Sequence, residues 1–339
     1  MTPLRVELTS KWAEAALAER GDREWRGVAL SVPAAVRFLA GIREPDGHIA
    51  LLIEAPLATA PATMLRVNAD GVSLTDQREP NEKIFRIAVT LERESLRDVF
   101  EVLATDIVEV VRPAPTSSQA IETAVSRLVA WQAFLRSGRR GLSREEQIGL
   151  LGELAVLQLL AREIGYDHAV EAWFGPLDGI HDFSRSGIAI EVKGVAGVGS
   201  LLHISHLDQL ESKGLSVLAI ARPRFREGPE GRSISAVVNA IREDIDRAAP
   251  TARRGFDDRL LRAGFVEGDR QPPDSTAFFL DNMYGFEVRS GFPRLTGSSV
   301  PAEIVDASYT LDERTLARFR IEADGLLKFA KMMTSVMHE

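Results

Sequence analysis

The chain has 339 residues, 45% of them hydrophobic and none a cysteine, with a formal net charge of −8. That length suffices for roughly two or three packed units, and the lack of cysteine excludes disulfides, thiolate zinc sites and a cysteine nucleophile while suiting a reducing cytoplasm. The negative balance argues against indiscriminate nucleic-acid binding by bulk attraction, yet leaves room for a local basic face.

The opening Met-Thr-Pro-Leu-Arg-Val-Glu has no apolar signal core, and no run of about eighteen apolar residues occurs anywhere, so a cytoplasmic chain without a membrane span is expected. Residues 1–112 read as an α+β module. Strand-like runs at Val28–Val32, Ile49–Glu54, Met64–Val67 and Ile84–Leu91 are separated by turn formers such as Asp46-Gly47 and Glu79-Pro80-Asn81. A helix over Ser95–Val111 follows, and Arg112-Pro-Ala-Pro-Thr-Ser-Ser has the composition of a linker. Beyond it Gln119–Leu135 spaces Ile121, Val125, Leu128, Val129, Trp131 and Leu135 as a helix does. Ser143 and Glu146 form a capping box for the next helix. Arg139, Arg140 and Arg144 just before it are a basic cluster that fits phosphate contacts or a solvated connection.

The helix over Glu146–Glu163 is apolar almost all round, as a buried helix is, and carries Glu153 in its middle. The residues three and four positions from Glu153 are Leu150, Val156, Gly149 and Leu157, so the carboxylate has no charged partner on its own helix. Burial of such a group is costly unless a metal or lysine lies nearby. A strand over Ala169–Phe174 comes next, and then His-Asp-Phe-Ser-Arg-Ser-Gly-Ile-Ala-Ile-Glu-Val-Lys, which reads as a hairpin turning at Arg185-Ser186-Gly187. Alternation on its second strand places Ile188, Ile190 and Val192 on one face and Ala189, Glu191 and Lys193 on the other. Folding back at Ser186 sets Asp182 opposite Ala189 or Ile190, within reach of Glu191. Two carboxylates that close repel unless a cation lies between them, and hard oxygen donors in a sparse set suit Mg²⁺, with Mn²⁺ as a substitute. Such a site fits phosphate chemistry, although an E-x-K on a strand is also an ordinary surface ion pair.

Gly194-Val-Ala-Gly-Val-Gly-Ser lacks the spacing of a dinucleotide fingerprint, and no Walker sequence, G-x-S-x-G or H-E-x-x-H occurs. Ser205 is placed to cap a helix over His206–Ser212 that carries His206 and Gln209 near one face, and Leu215–Ala221 is a fourth strand. Arg222-Pro-Arg-Phe-Arg fits either a surface loop or a backbone grip with Phe225 as a stacking ring. Helices over Ile234–Ala248 and Phe256–Ala263, strands at Ala277–Leu280 and Phe286–Val288, and a strand-then-helix tail complete the chain, with Arg253, Arg254, Arg259 and Arg262 clustered among them.

Glu153, Asp182, Glu191 and Lys193 together resemble the PD-(D/E)XK nuclease superfamily. More narrowly, Gly149-Leu-Leu-Gly-Glu-Leu, Trp173-Phe-Gly-Pro, His181-Asp-Phe, Glu191-Val-Lys and Ile204-Ser-His-Leu-Asp-Gln-Leu resemble uncharacterised PD-(D/E)XK proteins found beside bacterial restriction and phage-defence genes. The proline of the motif is missing, because His181 precedes Asp182, and Asp178 in Gly-Pro-Leu-Asp-Gly is a second candidate for the first acid. The resemblance implies an α/β fold with a restriction-endonuclease-like α-β-β-β-α-β core at 119–222, between the N-terminal α+β module and a C-terminal α/β extension at 223–339 packed on the core. It implies Mg²⁺-dependent hydrolysis of DNA in restriction or phage defence. Asp182, Glu191 and the backbone carbonyl of Val192 would be metal ligands, Glu153 a further ligand or outer-shell carboxylate, Lys193 the residue that orients water, and Gln209 or His206 a polar neighbour of the metal. Partners implied are DNA, ATPase or methyltransferase subunits, and a second copy of the chain where both strands are cut. Rival readings are a non-cleaving DNA-binding or partner-recruiting module on the same fold, and an RNA or nucleotide hydrolase.

Overall fold

A computed structural model describes residues 3–19, 24–63, 67–69, 71–79, 81, 83–136, 142–177, 179–266 and 277–334. The chain divides into two compact units, Met1–Arg140 with Val266–Arg270, and Gly141–Phe265 with Gln271–Glu339. Among the described residues no helix is long and apolar enough to cross a membrane.

In the first unit a helix α1 (Pro3–Leu17) precedes strands β1 (Trp25–Ala29), β2 (Arg37–Arg43), β3 (Ile49–Pro56), β4 (Val67–Ala69), β5 (Val72–Glu79) and β6 (Ile84–Leu91). They pair antiparallel in the order β1-β2-β3-β6-β5-β4. Helices α2 (Arg97–Val111) and α3 (Ser117–Arg136) follow. The sequence pattern missed α1, in which only Leu8, Trp12 and Ala15 are buried, too few for a clear apolar stripe. Trp12 anchors it by donating its indole N–H to the Ala50 carbonyl at 2.8 Å. The pattern also missed β5, whose alternation turns Asp76 inward with Val72 and Leu74. The boundary expected at 112–119 falls inside this unit. Arg127 Nε and Trp131 Nε1 on α3 each donate to Asp106 Oδ2 on α2 at 2.7 Å, which binds α3 to the first unit and moves the start of the second to Gly141.

The second unit opens with α4 (Arg144–Ala172), whose Ser143–Glu146 capping box forms as expected. A non-helical Gly165, with φ 76°, breaks it, and the chain then resumes as helix to Ala172 instead of forming the strand expected at Ala169–Phe174. A short apolar run reads alike for either state. Here Ala169 and Val170 are buried in the core, and only Trp173 keeps strand character, as a single bridge to Phe183. Strands β7 (Phe183–Arg185) and β8 (Ile188–Val192) form the hairpin through a two-residue turn, Ser186 at φ 50° and Gly187 at φ 74°. The register Phe183↔Ile190 continues to Asp182 opposite Glu191, one or two residues beyond the pairing expected from a turn centred on Ser186.

After β9 (Val195–Ala196) and β10 (Leu201–Ile204), the helix expected over His206–Ser212 is a single 3-10 turn, Leu207–Leu210. No side chain caps it, and the Ser205 N–H is bonded instead by Gln209 Oε1 at 2.8 Å. Strand β11 (Val217–Arg232) runs parallel to β8 and far past its expected end at Ala221. Helices α5 (Ile234–Ala248) and α6 (Arg253–Arg262) lead to β12 (Phe278–Glu287), β13 (Tyr309–Asp312), β14 (Arg320–Glu322) and α7 (Ala323–Met332). The sheet runs β14-β12-β11-β8-β7, so residues expected to be an extension at 223–339 supply two strands of the core sheet itself. Ile188, Ile190 and Val192 face a core built with α4, α5 and α7, and Ala189 faces a second core with Leu202, Ile204, Leu210, Leu218 and Ile220. That is the alternation read from the sequence.

Candidate active site

The C-terminal end of β8 carries the site. β7 stops pairing at Phe183, so the free edge of β8 at Val192 is met by a side chain: Val192 N–H donates to Asp182 Oδ2 at 2.6 Å. In an extended strand a residue's N–H and C=O point to the same edge, which turns the Val192 carbonyl toward Asp182. Lys193 faces the opposite edge with its backbone, donating its N–H to Ala221 at 2.9 Å and receiving Arg222 Nη1 on its carbonyl at 2.7 Å. Its side chain reaches Glu191 Oε1 at 2.9 Å and Gln209 Oε1 at 3.2 Å. Because Gln209 Oε1 also accepts from Ser205 N–H, the amide is fixed in orientation and holds the ammonium over the strand end.

Glu153 arrives from α4. Its Oε2 accepts the Trp173 indole N–H at 2.6 Å. An ideal Cβ on Gly175 would lie 2.6 Å from Asp182 Oδ1 and 2.7 Å from Glu153 Oε2, so those two oxygens are separated by no more than the sum of these distances. Only glycine leaves room there. At Gly194 a Cβ would lie 2.7 Å from the Ile148 carbonyl, a close approach that brings α4, and Glu153 with it, against the end of β8. Trp173, Gly175 and Gly194 were missed as site residues. Trp173 was read as part of a strand and Gly175 as the start of a turn, and the glycine requirement is a contact between segments distant in sequence.

Three carboxyl groups and one ammonium therefore share a space from which water is largely excluded. Burial pushes the Glu191 carboxyl up to about 8, aided by repulsion from Asp182 and opposed by Lys193. Burial likewise raises Asp182 to about 6, against the Val192 N–H and Lys193. Glu153 stands well above the ordinary carboxyl range through burial first and the Asp182 charge second, with the Trp173 N–H working the other way. Crowding by protein atoms on nearly every side decides these directions more than surface area does, since Glu153 and Asp182 keep some exposed surface while Glu191 is buried. The excess of negative charge and the hard oxygen donors fit a divalent cation. Among the described residues no three His, Asp or Glu side chains are grouped to hold one. The fit is thus of the sparse kind, two carboxylates and a carbonyl, with Glu153 tied to Trp173.

Other expected residues lie elsewhere. His206 pairs with Asp306 at 2.8 Å on the surface. Arg222 and Arg224 do not form a free backbone grip, because both bond Glu313, at 3.1 and 2.7 Å, and carbonyls between Lys193 and Leu201. Phe225 is buried. Arg144 pairs with Glu227, and Arg253 with Asp246 and Asp257. Asp178, Arg139 and Arg140 lie outside the described residues.

Over residues 8–313 the chain matches the family described as "Putative PD-(D/E)XK family member, (DUF4420)", and it belongs to that family. The mixed α/β fold agrees with this membership. No curated protein and no solved structure matches the chain.

Proposed function

We propose that the chain is a metal-dependent phosphodiesterase acting on DNA, with Mg²⁺ as the physiological ion and Mn²⁺ as a substitute. The observation that carries this reading is the gathering of Glu153, Asp182 and Glu191 around one lysine at the end of β8, with every carboxyl raised chiefly by burial. Asp182, Glu191 and the Val192 carbonyl would hold the cation, with Glu153 supporting it from the Trp173 side. A divalent cation there would supply Lewis-acid stabilisation to a phosphoryl group and ease ionisation of the attacking water. Lys193, steadied by Gln209, holds the attacking water and offsets charge growing on the phosphate in the transition state. The setting we propose is bacterial restriction or phage defence in the cytoplasm, with ATPase or methyltransferase subunits as partners. With one site per chain, cutting both strands would use two copies.

The Lys193–Glu191 ion pair favours a second reading, a non-cleaving DNA-binding module, because it engages one Glu191 oxygen within the protein. Cleavage assays on supercoiled, linear and single-stranded DNA, on RNA and on free nucleotides, with Glu191→Ala as control, separate the two and also test the rival RNA or nucleotide hydrolase. Metal-dependent cutting lost in Glu191→Ala supports the nuclease. A parent chain inert on every substrate with partner proteins supplied supports the module.

A further inference from the structure

Beside the carboxylates the chain makes a turn from Trp173 to Gly175, held unusually firmly. Phe174 N–H and Gly175 N–H both donate to the Asp182 carbonyl, at 2.7 and 3.0 Å, and the Phe174 carbonyl accepts Leu177 N–H at 2.8 Å and Gly179 N–H at 3.1 Å. The backbone at Gly179 passes so close that a Cβ there would lie 2.6 Å from Phe174 Cβ. Trp173 is fully buried between Phe183 and Phe256, at 6.4 and 5.9 Å between ring centroids. Its neighbour Phe174 is 40% exposed, and Ile180 is 62% exposed. An apolar ring is thus presented to solvent from a rigid backbone, one residue from the glycine that touches Asp182 and Glu153.

A cation lies under the same turn. Arg259 on α6 donates Nε to the Trp173 carbonyl at 2.7 Å and Nη1 to the Gly255 carbonyl at 3.1 Å, and its Nη2 lies 3.5 Å from the Glu171 carbonyl. Its bonds are all to backbone carbonyls, and no carboxylate among the described residues forms an ion pair with it. The nearby Glu171 carboxylate is engaged by Arg185 at 2.8 Å and His168 at 3.4 Å. A guanidinium fixed by backbone carbonyls, with the Asp258 and Glu171 carboxylates close enough to attract it but not bonded to it, lies near an exposed ring beside a phosphodiesterase site; a ring so placed can take the face of a base.

We propose that Phe174, exposed with Ile180 on a turn whose Trp173 carbonyl is held by Arg259, is the platform on which an unpaired base of a single DNA strand stacks while the adjoining phosphate enters the Asp182–Glu191–Lys193 site. The proposal rests on the phosphodiesterase reading and narrows its substrate. A base stacked in duplex cannot offer its face to Phe174, so the preferred substrate is a single strand, or a duplex with a frayed end or flap.

Fluorescence anisotropy of the full chain with Mg²⁺ and labelled phosphorothioate oligonucleotides tests this without cleavage. Phe174→Ala is expected to weaken single-strand binding by about 5- to 100-fold, the range for loss of one base–aromatic stack. Phe174→Trp should retain the affinity, and blunt-duplex binding should be the same in all three proteins. Unchanged single-strand affinity in Phe174→Ala, an equal loss on blunt duplex, or a parent that binds no oligonucleotide overturns the platform. Binding that depends on Phe174 in a chain that cuts nothing overturns the phosphodiesterase and leaves the platform standing. Cleavage in the parent with unaltered binding in Phe174→Ala does the reverse.

Discussion

A Cβ on Gly175 would press on carboxylate oxygens of both Asp182 and Glu153, so Gly175→Ala is expected to displace the acids while sparing the core. Calorimetric titration should then show weakened Mg²⁺ or Mn²⁺ binding in a protein with a parent-like circular dichroism spectrum; undiminished binding would mean that the acids need no such closeness. Lys193 offers a sharper test of chemistry. Removing a positioned acid–base or electrostatic group typically costs on the order of 10²-fold or more in rate, so Lys193→Ala should keep fold and DNA affinity but lose cleavage. Lys193→Arg should rescue it poorly, since a planar fork cannot occupy the point between Glu191 and Gln209. The raised carboxyls also set a pH dependence. Glu191, raised from 4.5 to about 8, holds its proton more tightly folded than unfolded, so its contribution to stability is full below the ordinary carboxyl range and is lost as the pH rises through about 8. Without metal the parent should therefore melt lower at the alkaline end of that window, and Glu191→Gln should flatten the trend. A parent whose melting temperature does not fall relative to Glu191→Gln would contradict the assignment. That Glu191 and Lys193 share a face was legible because alternation along one strand is a local rule, and the approach of Asp182 because the hairpin turn is local too. The nearness of Gln209 to the site was expected only through resemblance, and its link to Lys193 depends on a turn that local pattern misread as a helix.

Among the elements, the β7–β8 hairpin and the capped start of α4 were readable because turn formers and caps act over a few residues. The stretch after Gly165 was not, since Ala169 and Val170 satisfy either periodicity and tertiary packing decided for helix. The unexpected length of β11 has a similar origin: its arginines looked solvent-exposed in sequence, yet Arg222 is buried and bonded to Glu313, far along the chain. The contact of α4 with the end of β8 supplies a prediction at this scale. Gly194→Ala forces a Cβ toward the Ile148 carbonyl, and overpacking of this kind costs about 1–3 kcal/mol. Urea unfolding should record that loss together with weaker metal binding, whereas an unchanged midpoint would show that α4 can withdraw freely.

At the level of the whole molecule, length indicated two or three units and the Pro-rich stretch a boundary at 112–119, whereas the chain divides into two units beyond α3, because the sequence does not say which unit takes the apolar face of that helix. Its bonds to Asp106 settle that. A chain truncated to begin at Gln119 would carry α3 without its Asp106 partner, and it should therefore be less soluble than one beginning at Gly141; equal behaviour would indicate that α3 needs no first unit. The expectations for metal binding and cleavage depend on one claim, that the acids around Lys193 form a metal site for phosphodiester cleavage. The most direct measurement is DNA cleavage by the purified chain as Mg²⁺ is titrated, run beside calorimetric metal binding in the parent, Asp182→Ala and Glu191→Ala. The account predicts that cleavage rises with metal occupancy in the parent and that both variants lose binding and cleavage together. Metal binding or cleavage that persists unchanged in Asp182→Ala and Glu191→Ala would contradict it.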